Sequence, residues 1–226
     1  MMKHRKQYCK TWFLRSIAVY LSAVLTLCLA GCRRAENKTR SCFIYTDGLL
    51  DDLCAMEYLS QHYDQAVIML AEADGLKDSP LSSASVKDRA ALLETASGWF
   101  RDCSEYREGS DLTGMDLYLF APLTEFVLLM ENDESIRDSR VVLMAGESDG
   151  PEGAGNEWNA AADEAAYRYV ISNLTHLSQV SSKECEARFA EQGYPYHARF
   201  LDEYRSRMEA LQENLCCYDL QAAAAD

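Results

Sequence analysis

The stretch 42–59, CFIYTDGLLDDLCAMEYL, constrains this chain more than any other. It reads as a short apolar strand over Phe43, Ile44 and Tyr45, then a turn, then an amphipathic helix. Three carboxylates, Asp47, Asp51 and Asp52, fall where strand gives way to helix. An aspartate at a helix N-terminus satisfies free N–H groups and complements the dipole, so capping alone accounts for any one of them. Three together have a second reading. In an open α/β sheet, ligands bind outside the carboxyl ends of the strands. Like charges crowded there are costly until something cationic neutralises them. A hard divalent cation, which takes about six to eight oxygen ligands, meets that need.

The remainder of the chain repeats the strand–helix alternation. Residues 66–73 (AVIMLAEA) read as a buried strand, followed by a turn at Asp74-Gly75 and a loop over 77–85. A helix is expected over 85–100, with Val86, Ala90, Leu93 and Ser97 along one face, and a loop over 101–114. Residues 117–120 are strand-like, and Ala121-Pro122 leads into a helix over 123–130. Residues 140–145 (RVVLMA) make another strand, 147–155 an acidic Gly-rich loop, 163–173 a helix and 195–215 a longer one. This order predicts an α/β fold, a mostly parallel, Rossmann-like sheet with helices on both faces.

The first residues are a separate matter. Lys3, Arg5, Lys6, Lys10 and Arg15 precede an apolar run over 17–30, too short to span a bilayer comfortably and suited to a signal peptide. It ends in Leu29-Ala30-Gly31-Cys32, which resembles the bacterial lipoprotein signal. The expected organisation is a signal over 1–32 ending at a lipidated Cys32, a polar tether over 33–41, and one domain over 42–226. That places the domain outside the cytoplasm, at the bacterial cell envelope, attached to the membrane through its lipid.

Removing the signal takes five of the 22 basic residues and none of the 36 acidic ones, leaving 17 against 36. So acidic a domain is not built for nucleic acid, which requires basic surface. Of nine cysteines, Cys42, Cys54, Cys103, Cys185, Cys216 and Cys217 remain beyond Cys32, without zinc-type spacing. Export permits disulfides, and the spacing does not say which form.

Several segments together resemble one family. Tyr45-Thr46-Asp47-Gly48-Leu49-Leu50-Asp51-Asp52 is similar to the nucleoside hydrolase motif Asp-x-Asp-Pro-Gly-x-Asp-Asp, with Tyr45 in place of its first aspartate. Leu119-Phe120-Ala121-Pro122-Leu123-Thr124 resembles Leu-Gly-Pro-Leu-Thr-Asn, and Val141 to Gly146 resembles the Val-Ile-Met-Gly-Gly strand. Asn156-Glu157-Trp158-Asn159 and Asp163-Glu164-Ala165-Ala166 are similar to Glu-Phe-Asn and Asp-Pro-Glu-Ala-Ala; Tyr218-Asp219-Leu220-Gln221-Ala222-Ala223 is similar to His-Asp-Pro-Leu-Ala-Ala. The matches run in the family's order, and the chain is identified as a short, divergent, inosine-uridine-preferring nucleoside hydrolase-like protein.

The resemblance implies a calcium ion held by Asp47, Asp52, Asp219 and the Phe120 carbonyl oxygen, all oxygen donors. It implies that Asp47 takes the proton from a water acidified by the ion. Asp51, Asn156, Glu157 and Asn159 would meet the ribose hydroxyls of a nucleoside or other ribosyl compound, and carboxylates there favour the charge developing on the sugar. Tyr218 stands where the family's histidine assists the leaving base, and a phenol of pKa about 10 is a weaker acid at neutral pH. The terminal helix would normally run on beyond Asp226. Two functions stay open: hydrolysis of ribonucleosides to ribose and base, or a catalytically impaired lipoprotein that binds a ribosyl ligand. Capping remains an alternative role for Glu157, Asn159 and Asp219, and self-association stays open.

Overall fold

The computed structural model describes residues 39–71, 89–145 and 157–225. The expected signal with Cys32, most of the expected tether, the loops after the second and fifth strands, Asp74 and Asn156 lie outside them.

Among the described residues, six strands form one parallel sheet: β1 (Ser41–Thr46), β2 (Gln65–Leu70), β3 (Asp102–Glu105), β4 (Asp116–Leu119), β5 (Arg140–Met144) and β6 (His176–Val180). Their spatial order is β3-β2-β1-β4-β5-β6. The order reverses between β1 and β4, so a crevice opens there at the carboxyl ends of both strands. The helices are α1 (Leu50–Leu59), α2 (Arg89–Ser97), α3 (Thr124–Asn132), α4 (Trp158–Ala162), α5 (Glu164–Asn173), α6 (Ser182–Gln192), α7 (Leu201–Leu211) and α8 (Tyr218–Ala223). A 3-10 turn over Glu134–Asp138 precedes β5.

The period-2 alternation of the central strands sorts the core into two layers. Cys42 and Ile44 of β1, Tyr118 of β4 and Val142 of β5 face α1, α2, α6, α7 and α8. Phe43, Tyr45, Leu117, Val141 and Leu143 face α3, α4, α5 and the 3-10 turn. Strands buried on both faces read as continuous apolar runs, and for that reason β1, β2, β4 and β5 fall where expected. The α/β architecture with helices on both faces is the observed fold.

Several elements differ from expectation. β3 lies inside the polar stretch expected to be loop, and β6 with α6 fills a stretch that carried no element. Both strands are sheet edges with one partner each, so their half-exposed residues dilute the apolar signal. α2 buries Leu92 and Ala96 and leaves Ala90 and Ser97 exposed, a face rotated from the expected one. α7 covers only the middle of the long helix expected, because Gln212 ends it in the left-handed region at φ 58°.

Candidate functional site

The turn after β1 is built by its own side chains. Thr46 Oγ1 donates to Asp52 Oδ1 at 2.6 Å and accepts from the Gly48 N–H at 3.0 Å. Gly48 has φ 76°, which a side chain would resist. Asp52 Oδ2 accepts from the Leu49 N–H at 3.1 Å, so Asp52 caps the very helix it belongs to. This fixes Asp52, fully buried, and aims the first turn of α1 at the switch point.

Asp219 arrives from the far end of the chain. It sits in the first turn of α8, which packs against α1, and it is buried. One carboxylate oxygen each from Asp51, Asp52 and Asp219 lies within 4.8 Å of the others. Asp51 Oδ1 is buried without a hydrogen-bond partner. Asp47, also buried, interacts with Asp52 and Asp51, and Asp51 with Asp219.

Carboxyl groups approach so closely only where protons or a cation offset their charge. Burial lifts Asp47 to about 7, with the Asp51 charge adding to it, and burial lifts Asp51 to about 6. Burial pushes Asp52 and Asp219 well above the ordinary carboxylate range too, followed by the charges of their neighbours. An uncompensated buried oxygen and four elevated carboxyls are the signature of a site shaped for positive charge. The donors are all oxygen, which suits a hard divalent cation.

The cluster forms the floor of an open pocket of about 670 Å³, solvent at its mouth included. Its walls among the described residues are Leu49, Phe120, Met144, Glu157, Trp158, Asn159, Tyr204, Met208 and Tyr218, none of them basic. Trp158 is 40% exposed on this wall. Glu157 Oε2 accepts from the Ala160 N–H at 2.9 Å and so caps α4, whereas the helix that starts near Asp163 is capped by Asp163 itself, and Glu157 stays in the pocket. Asn159 Nδ2 donates to the carbonyls of Phe120, at 3.2 Å, and Met144, at 3.0 Å. It ties together the ends of β4 and β5, and both of its amide hydrogens are spent on backbone.

No family model, curated protein or solved structure matches this chain.

Of the residues expected at the site, Asp47, Asp51, Asp52, Phe120, Glu157, Asn159, Tyr218 and Asp219 all line this one pocket. Asn156 lies outside the described residues. The closest carboxylate trio contains Asp51 in place of Asp47, and the Phe120 carbonyl already accepts from Asn159. Tyr218 Oη donates to Glu186 Oε1 at 2.8 Å, and burial followed by that bond raises its pKa. Tyr45, in place of the motif's first aspartate, lies in the opposite core layer and donates to Glu125 Oε2 and Pro122 O. Sequence reasoning missed Glu186, Tyr204 and Met208. Tyr204 and Met208 stand at i and i+4 on the apolar face of α7, a spacing indistinguishable from ordinary core packing.

Proposed function

We propose that this chain hydrolyses the N-glycosidic bond of ribonucleosides in a calcium-dependent reaction, anchored at the bacterial cell envelope through Cys32. The observation that carries this reading is the trio Asp51, Asp52 and Asp219, with its bare buried oxygen, on the floor of a pocket at the sheet's switch point. Calcium, rather than another hard cation, enters with the resemblance of the aspartate motif.

These three carboxylates would hold the ion. When bound, it supplies Lewis acidity toward water and oxygen-seeking contacts for sugar hydroxyls. Asp47, buried beside the trio in the same pocket, would accept the proton released as water attacks the sugar carbon. Glu157 on the facing wall favours the positive charge growing on the sugar as the bond to the base breaks. Phe120, Met144, Trp158 and Met208 offer an apolar surface for the base.

One observation favours the second reading, a protein that binds a ribosyl ligand without cleaving it. The Tyr218 phenol is engaged as donor to Glu186, which draws its proton away from a departing base. The experiment is release of free ribose from a nucleoside panel, with calcium and with a chelator. Release that calcium supports and the chelator stops is the expected result. Calorimetric binding of the same nucleosides without release assigns the protein to the second reading.

A further inference from the structure

The start of α8 is also a meeting place of cysteines. Cys54, Cys185, Cys216 and Cys217 are all buried in the same core layer. Cys185 Sγ lies 3.5 Å from the Tyr218 carbonyl oxygen and 4.0 Å from Met144 Sδ, which turns it toward β5. Cys217, the residue preceding α8, points the other way, with its Sγ 4.0 Å from the Asp51 carbonyl oxygen of α1. A helical side chain leans back over the turn before its own Cα. A sulfur resting on the Asp51 carbonyl therefore meets the side chain of Cys54, three residues on. Both are free thiols in the structure, one on α1 and one at the entrance of α8, two elements that pack on each other.

We infer that Cys54 and Cys217 form a disulfide that staples α1 to the entrance of α8. Both sulfurs are fully buried in the folded domain, where thiols react slowly, so the bond forms as the chain folds. The oxidant is a small-molecule or protein disulfide. One cysteine thiolate attacks it, displacing a thiol and leaving a mixed disulfide. The second cysteine thiolate then displaces the other thiol. Two electrons pass to the oxidant, and its two sulfurs leave with the two cysteine protons.

The bond would close nearly the whole domain into one loop, the situation in which a crosslink most restricts the unfolded chain. It would also hold Asp51 and Asp52 against Asp219, whose mutual repulsion otherwise works to part α1 from α8. This inference does not depend on the reaction the pocket performs.

The full chain, refolded in a buffer of oxidised and reduced glutathione, is acid-quenched, alkylated and digested without reduction. The expected product is a peptide pair joining Cys54 to Cys217, separated by reductant, with the Cys216→Ser variant removing the ambiguity between adjacent cysteines. Reductant should lower the wild-type melting temperature by roughly 5 to 15 °C. Cys54→Ser, Cys217→Ser and the double variant should share the lower value and ignore reductant. Alkylation of both wild-type residues, or a bridge from either to Cys185 or Cys216, overturns the inference. So does an additive loss in the double variant, which would mean packing rather than a bond.

Discussion

Asp219 and Asp52 carry the same charge in the same cluster but differ in what else they hold. Asp52 accepts from Thr46 Oγ1 and the Leu49 N–H, so the turn depends on it. Asp219, which caps no helix, is held well above the ordinary carboxylate range by burial first and by the charges of Asp51 and Asp47 second. Asp219→Asn should therefore stabilise the metal-free protein, by about 1 kcal/mol, and abolish the rise in melting temperature that calcium produces. Asp52→Ala should abolish the same rise while costing about 1 kcal/mol through the lost cap. Thermal denaturation with and without calcium reads both. The proposed catalytic pair, Asp47 and Tyr218, separates by substrate. Asp47→Ala should end ribose release from nucleosides and from p-nitrophenyl riboside alike. Tyr218→Phe should slow nucleosides more than the activated riboside, whose leaving group departs without a proton. At this scale the aspartates were legible, because three acids at a strand–helix junction need a cause. Glu186 was not, since nothing along the chain ties it to a tyrosine 32 residues away.

Among the elements, the ends of β4 and β5 are joined through Asn159, a side chain from α4 rather than a strand residue. Asn159→Ala would leave the Phe120 and Met144 carbonyls without that donor. We expect a loss of about 2–4 kcal/mol in urea unfolding, since each unsatisfied buried polar group costs about 1–3 kcal/mol. α4 is only one turn and a half long, and its Trp-Asn-Ala-Ala-Ala carries too little periodicity to announce a helix. The central strands were legible because burial on both faces demands unbroken apolar runs. β3 (DCSE) and β6 (HLSQV) were not, because edge strands answer partly to solvent and spell a mixed pattern. α1 was read as amphipathic, yet Leu50, Leu53, Cys54, Ala55, Met56 and Leu59 are all buried, since α8 covers the side that sheet packing alone would expose.

For the whole molecule, the acid cluster couples stability to pH. Folded-state values of about 7 for Asp47 and about 6 for Asp51 lie above the 3.8 of a free side chain, so folding favours the protonated forms. The resulting stability is fully present below about pH 4 and is lost as pH rises through 6 to 7. The metal-free protein should melt at progressively lower temperature across that window. Saturating calcium should flatten the decline, and its binding near pH 6 should release protons, measurable by calorimetry in buffers of different ionisation enthalpy. A separate expectation concerns attachment: Cys32→Ser should move the protein out of the membrane fraction or block its processing, read by fractionation and size.

The cluster joins the first helix of the domain to the last, and synthesis runs in that direction. At about 5–20 residues per second, Asp219 leaves the ribosome roughly ten to thirty seconds after Asp52. Throughout that interval Asp51 and Asp52 lack the Asp219 carboxylate, and the apolar face of α1 that α8 covers is bare. On the proposed reading, the trio is complete only once α8 has docked. Cation binding through it would then be the closing event of maturation, reporting a chain translated and folded as far as α8.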